Sequence, residues 1–301
     1  MGTIKSLLIG LLFTASFFSH AKTVEHTLGT ITLNGTPQRV VVLSHGALDF
    51  LDQIGVEPVG VIKQLIPEYL QSKYSDSAYR SLGSLKEPNF EEIYMAKPDL
   101  IIAEGRQAQL YQQLSEIAPT YMFQVDTKAY WQSTQHHWRV LAELFGQSQQ
   151  VEDMIAKIQG QFEQINELTA SNSLNAMSVM NSGNRISMFG TNSRFSLLYT
   201  DLGFSVRESA KVSSVARPHG NLISFEYIAD AKPDVLFVLD RQQTIGAGNA
   251  SSEQLFDNAL VNSTPAAKNN RIVFLDGTAW YLTAGGYNAT QIMINDVKKA
   301  F

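Results

Sequence analysis

The chain has 301 residues, with 23 Lys+Arg against 28 Asp+Glu and no cysteine. That length exceeds what one hydrophobic core ordinarily fills, so two lobes are expected, and a formal charge of −5 argues against a general nucleic-acid binder, which carries a basic surplus. Zero cysteine excludes disulfides, thiolate metal sites, a cysteine nucleophile and a lipidated N-terminal cysteine.

Residues 1–21 have the form of a cleaved secretory signal. Lys5 supplies the positive start, Leu7 to Phe18 the short apolar run, and Ser19-His20-Ala21 the small residues at −3 and −1. The run falls short of the about 20 apolar residues that span a bilayer, and no later stretch is long and apolar enough. Arg39-Val-Val-Val-Leu43 predicts a strand, followed by a helix from Ala47 to Ile54 that stops at Gly55.

Two segments then match at a constant offset of 135 residues. The first is Asn89-Phe-Glu-Glu-Ile-Tyr-Met-Ala-Lys-Pro-Asp-Leu-Ile-Ile-Ala-Glu-Gly-Arg106, and the second is Ser224-Phe-Glu-Tyr-Ile-Ala-Asp-Ala-Lys-Pro-Asp-Val-Leu-Phe-Val-Leu-Asp-Arg241. Each has an N-cap residue, a short helix, a proline that ends it and an apolar strand. Leu100 to Ala103 and Val235 to Val238 lack polar alternation, as expected of parallel strands buried on both faces. The repetition indicates duplicated α/β lobes.

Between the copies, Val151, Met154, Ile155, Ile158, Phe162, Ile165 and Leu168 follow helical spacing after the break Gly146-Gln-Ser148. This predicts one helix over 148–170 that bridges the lobes. In the second half, a strand Ala176 to Met180 and a helix Arg194 to Leu202 repeat the strand-to-helix order, Arg271 to Leu275 is a later strand, and Asn288 to Phe301 is a terminal helix. The expected organisation is a signal over 1–21, an N-terminal α/β lobe over 22–147, the bridge, and a C-terminal α/β lobe over 171–301. Both lobes are Rossmann-like.

Arg106 and Arg241 each lie just past the C-terminal end of a strand, the edge at which open α/β sheets bind ligands. With Arg194, which follows the turn Gly190-Thr-Asn-Ser193, they would form an anion pocket in an otherwise acidic protein. Taken singly, each is as well explained as a solvated surface charge. His219 sits in a polar turn, and Tyr281 in a loop after the strand Arg271 to Leu275; a loop histidine is ordinarily exposed, and a tyrosine beside Trp280 ordinarily packs. His136 and His137 are adjacent, so on a helix they point about 100° apart and do not chelate one ion. His45 follows a strand end, a position from which it could line the crevice, although a turn role is the stronger expectation. No catalytic triad, zinc-protease motif or P-loop occurs, and no catalytic residue is assigned. Glu91 and Glu226 hold matching positions in the first turn of each repeat's helix. Interaction with the helix dipole explains each one. Their symmetry fits a two-point docking surface for a basic partner.

The signal, the paired repeats, the bridging helix and the tail Trp280-Tyr-Leu-Thr-Ala-Gly285 together resemble the periplasmic binding proteins for iron–siderophores. The likeness is closest to the catecholate group, in particular its vibriobactin- and enterobactin-binding members. It implies the class III architecture, two α/β lobes on one rigid helix with small closure motions. It also implies a monomeric, non-enzymatic periplasmic component of an ABC importer. Its transported ligand would be a ferric catecholate siderophore, with no permanently bound cofactor, and its protein partners an inner-membrane permease with its ATPase. By the same resemblance Arg106, Arg194 and Arg241 line the pocket, His219 and Tyr281 complete the coordination of Fe(III) in tetradentate bis-catecholates, and Glu91 and Glu226 meet permease arginines. The tail departs from the family pattern at Thr283-Ala-Gly-Gly-Tyr287, which makes Tyr287 a competitor for the phenolate role, and Ser44-His45 is a further departure in the pocket segment. Haem or a corrinoid on the same fold is the rival ligand, and a periplasmic metal-dependent hydrolase using His45, His219 and a carboxylate the rival class.

Overall fold

The computed structural model describes residues 21–183, 185–209, 220–248 and 251–301. Most of the expected signal and His219 therefore lie outside the described residues. Among the described residues no helix is long and apolar enough to cross a membrane.

An antiparallel hairpin, β1 (Ala21–His26) and β2 (Gly29–Asn34), opens the chain and buries Ile31 and Leu33 from alternate positions of β2. The N-terminal lobe is a parallel five-stranded sheet of β3 (Val40–Val42), β4 (Gly60–Val61), β5 (Arg80–Ser81), β6 (Leu100–Ala103) and β7 (Thr120–Met122), in the order β5-β4-β3-β6-β7. The β-branched run Val40–Val42 and the apolar Leu100–Ala103 pair at the centre, and every one of their side chains is buried.

The C-terminal lobe contains β8 (Asn175–Asn181), β9 (Ile186–Phe189), β10 (Ser205–Val206), β11 (Asn221–Ile223), β12 (Val235–Asp240) and β13 (Ile272–Leu275), ordered β11-β9-β8-β12-β13 with β10 beside the start of β8. Here the expected strand-to-helix order is interrupted. β8 folds back as an antiparallel hairpin into β9, through a turn in which Ser182 N–H donates to Arg185 C=O (2.9 Å) and Gly183 takes φ +74°. A left-handed φ suits glycine, so Ser182-Gly183 is the turn signal. The following helix is correspondingly short, Ser196–Thr200 rather than Arg194 to Leu202.

The repeats explain themselves in three dimensions. Asn89 and Ser224 cap the helices Phe90–Met95 and Phe225–Ala231 through their side chains. Lys97 and Lys232 both adopt left-handed backbone, φ +48° and +51°, immediately before the prolines. Asp99 then accepts from the N–H groups of Gln38 (2.7 Å) and Arg39 (2.9 Å) leading into β3, and Asp234 from the N–H of Asn175 (3.2 Å) at the start of β8. Each Lys-Pro-Asp is thus a turn that docks the new strand beside the central one.

The bridge is a 24-residue helix, Ser148–Ser171, about 36 Å long. Its buried stripe is the expected one except at its end, where Leu168 is exposed and Thr169 buried. From Ile165, four residues leave a side chain about 40° off the stripe and three leave it about 60° off, and Thr169 hides its hydroxyl by donating to the Ile165 carbonyl at 2.9 Å. One apolar core runs unbroken from the N-lobe across the bridge to the C-lobe, and each lobe has a smaller core of its own. The last helix, Tyr287–Lys298, crosses back onto the N-lobe helix His45–Gln53. Its first turn is held by the fully buried Asp49, which accepts from Asn288 N–H (3.1 Å), the Asn288 amide (2.8 Å), Ala289 N–H (2.8 Å) and the Tyr69 hydroxyl (3.1 Å). Burial outweighs these donors and pushes the Asp49 carboxyl up to about 6. The crossing is tight: a Cβ on Gly46 would stand 2.2 Å from the Ala284 carbonyl oxygen.

Candidate functional site

The strand ends place the arginines. β6 runs out at Ala103 into the turn Gly105–Leu110, which carries Arg106, and β12 runs out at Asp240 into the short helix Arg241–Thr244. Asp240 caps that helix, accepting from Gln243 N–H at 3.0 Å. Arg194 stands in the turn before Ser196, where the Ser193 hydroxyl accepts from Phe195 N–H at 3.2 Å. These three arginines, from both lobes, meet around one side chain, Tyr281.

Tyr281 is not in an irregular loop, as the sequence suggested, but in a π-helical turn, Thr278–Leu282. Asp276 accepts from Ala279 N–H (2.8 Å), and Asp296 on the last helix accepts from Asp276 N–H (2.8 Å) and from the Trp280 indole (3.1 Å). Trp280 is thereby buried against Phe195, with ring centroids 6.0 Å apart, and Tyr281 is turned the other way into the cleft. Gly277 permits the approach to the Arg241 helix, since a Cβ there would fall 1.7 Å from the Thr244 hydroxyl oxygen.

The Arg194 guanidinium lies 4.4 Å from the Tyr281 ring centroid, with those of Arg241 at 5.7 Å and Arg106 at 5.8 Å. Arg241 Nε–H donates to the Tyr281 hydroxyl at 2.9 Å, and Arg106 Nη2 donates to the Tyr281 backbone carbonyl at 2.8 Å. Arg106 also pairs with Glu104, whose other oxygen accepts from the Ser44 hydroxyl at 3.1 Å. Arg194 makes no hydrogen bond or ion pair among the described residues. Burial works to raise the Tyr281 pKa, but the Arg241 hydrogen bond and the charges of Arg194, Arg241 and Arg106 together hold it below the ordinary tyrosine value. Burial, and then the like charges of Arg106 and Arg241, lower that of Arg194, against the opposing pull of Tyr281 and Glu104. The cavity beside Tyr281 measures about 290 Å³, and its walls include Arg106, Arg194, Glu104, Phe123 and Tyr130, whereas Arg241 is not among them. Three guanidiniums beside a phenol are chemically suited to hold an anion that presents several oxygens.

The sequence profile of the periplasmic binding protein family matches residues 40–279. The chain belongs to that family. It is 36% identical over 283 residues to the petrobactin-binding protein YclQ of Bacillus subtilis, covering 92% of this chain and 87% of the relative. It is 32% identical over 285 residues to the ferric-anguibactin-binding protein FatB of Vibrio anguillarum, again 92% and 87%. The crystal structure of the periplasmic catecholate-siderophore binding protein VctP from Vibrio cholerae superposes with a TM-score of 0.87 at 44% identity, over 93% of this chain and 99% of that one.

Within this family member the remaining candidate residues separate cleanly. His45 is buried in the first turn of its helix, donating through Nε2 to the Ile62 carbonyl (3.1 Å); burial lowers its pKa to about 4, so it is neutral, and it does not line the cleft. His137 is likewise internal, between the Tyr121 hydroxyl (2.5 Å) and the Gln124 carbonyl (2.9 Å). Tyr287 packs against Trp138 in the shared core, 5.7 Å between centroids, away from the three arginines. Glu91 and Glu226 are exposed in the first turns of their helices. Glu92, beside Glu91, pairs with Arg80 at 2.8 Å, whereas Glu91 makes no ion pair among the described residues. A hydrogen bond from Ser224 holds the Glu226 carboxyl below its usual value. Among the described residues no three His, Asp or Glu side chains converge on a metal-sized site. Sequence reading missed Glu104 as a cleft residue, although it stands in the first repeat, two positions before Arg106.

Proposed function

We propose that this protein is the periplasmic substrate-binding component of an ABC importer, that it captures ferric catecholate siderophores in the cleft between its lobes, and that it delivers them to an inner-membrane permease. The observation that carries this reading is the convergence of Arg106, Arg194 and Arg241 on Tyr281. Arginine remains charged at any working pH and donates in a planar fork suited to the paired oxygens of a catecholate. Fe(III) bound by two catecholates carries a net charge of −1 and leaves two coordination positions open, whereas three catecholates saturate it at −3. A hard trivalent ion favours phenolate oxygen, and a tyrosine already biased toward ionisation by three guanidiniums costs less to deprotonate. In this reading Tyr281 and His219 fill the open positions of a bis-catecholate, and the arginines hold the catecholate oxygens. The relatives named for petrobactin, ferric anguibactin and catecholate siderophores support the ligand class. Glu91 and Glu226, one on each lobe, are the docking points for permease arginines.

Titration of intrinsic tryptophan and tyrosine fluorescence with ferric bis- and tris-catecholates, haem and cobalamin tests the reading. Saturable quenching by the ferric catecholates at concentrations where haem and cobalamin leave the signal unchanged is expected. Tight binding of haem or cobalamin with no response to ferric catecholates would overturn it.

A further inference from the structure

We propose that Glu104 sets the charge of the cleft, and so narrows the advantage that three guanidiniums would otherwise give a triply charged, saturated ferric complex over a singly charged, coordinatively unsaturated one. The inference rests on the ligand class proposed above and adds the rule by which the site chooses within it.

Among the described residues Glu104 is the one carboxylate lining the cleft, with a side chain only 13% exposed. Its geometry is built rather than incidental. One oxygen is paired with Arg106 Nη1, and the other accepts from Ser44, which itself caps the helix His45–Gln53. Its backbone N–H donates to the side-chain oxygen of Gln107 at 2.9 Å, and Gln107 is fully buried and anchored to the Leu85 carbonyl. The negative charge therefore stays at the cleft wall beside the arginines, and its field reaches Arg194 as well as Arg106. The other lobe does not repeat it. The matching position is Leu239, and the nearby Asp240 is spent on Gln243 N–H and the Ser252 hydroxyl.

A pocket built only for attraction would leave all three guanidinium charges uncompensated. Glu104 offsets one of them, and its repulsion of the ligand scales with the ligand's own charge. At roughly 9 Å in a solvated cleft, Coulomb's law gives about a twofold penalty per ligand charge, hence roughly fivefold more against a −3 complex than a −1 complex. Arg106 is also held by Glu104 and the Tyr281 carbonyl, which reduces the donors it offers to a third catecholate arm.

The test is Glu104→Gln, a near-isosteric change whose amide oxygen still accepts from Arg106. Dissociation constants are measured by fluorescence quenching with the ferric complexes of a linear bis-catecholamide and of a tripodal tris-catecholamide, at low and high salt. The expected result is a gain of roughly fivefold or more for the tris complex, a change under about threefold for the bis complex, and a difference that shrinks as salt screens the cleft. Glu104→Asp keeps the charge and should preserve the parent's ratio of the two constants. Equal losses for both ligands in Glu104→Gln would mean that Glu104 only positions Arg106 and would overturn the proposal, as would no change for either. A parent protein that binds neither complex would instead overturn the proposed function, and this selection rule with it.

Discussion

Arg194 offers a perturbation whose effects on affinity and on stability should come apart. Replacing it with Met keeps an apolar stem over the Tyr281 ring and removes the charge. In the free protein the loss is one cation–π contact, at 4.4 Å, worth about 0.5–2 kcal/mol. Against this stand the burial of the guanidinium and its repulsion by Arg106 and Arg241, the effects that lower its pKa. No protein acceptor is orphaned, because Arg194 hydrogen-bonds to none among the described residues. The two sides nearly cancel, so stability should change by no more than about 1 kcal/mol, or roughly 2–4 °C in Tm for a chain of this size. Binding has no such compensation. Loss of charge-assisted hydrogen bonds to catecholate oxygens costs about 1.5–3 kcal/mol, roughly ten- to a hundredfold in Kd. Fluorescence titration with a ferric bis-catecholate, paired with thermal melts of the free protein, measures both. Affinity within twofold of the parent would refute the placement of the ligand, and a Tm drop of 10 °C or more would make Arg194 a structural residue.

Other perturbations probe separate parts of the account. Tyr281→Phe should abolish the earliest-ionising tyrosine in an absorbance titration at high pH and, like His219→Ala, weaken bis-catecholate binding while sparing a saturated tris-catecholate; equal losses for both ligands would mean that these residues shape the pocket without touching iron. Asp49 has its folded pKa raised from 3.8 to about 6, so its contribution to stability is fully present below about pH 4 and is lost as pH rises through 6. Relative to Asp49→Asn, the parent should therefore gain up to about 3 kcal/mol as pH falls from 7 to 4, and parallel Tm–pH profiles would contradict the buried-carboxyl assignment. Reversing both Glu91 and Glu226 to Lys should leave siderophore affinity unchanged and sharply reduce uptake by cells, with single reversals intermediate; normal uptake by the folded double variant would return both to being helix-start carboxylates.

What could be read from the chain followed from how local each cause is. The repeat placed Arg106 and Arg241 because cap, helix, Lys-Pro-Asp turn and strand are consecutive residues, and the two copies adopt the same left-handed lysine and the same aspartate clasp. The bridging helix was legible from its apolar spacing to within one residue at its end. The π-helical turn under Tyr281 was not, since it is made by Asp296, sixteen residues from Trp280 on another helix. Nor was the clasp of Asp49 on Asn288 and Ala289, which joins positions more than 200 residues apart with no pattern at either end. The β8–β9 hairpin hid behind an apolar run that suits a parallel strand equally well; only Ser182-Gly183 betrayed it. Glu104 was in plain view in the first repeat, but its chemistry depends on Arg106, Ser44 and Gln107 closing around it.

The central claim is that one tyrosine, ringed by three arginines from two lobes, receives iron held by an anionic ligand. Crystals of the complex with a ferric bis-catecholate, with anomalous scattering recorded at the iron edge, test it most directly. The account predicts a single iron peak within direct bonding distance of the Tyr281 hydroxyl oxygen, with catecholate oxygens facing Arg106, Arg194 and Arg241. An iron peak elsewhere on the protein, with Tyr281 still hydrogen-bonded to Arg241 and free of metal, would contradict it.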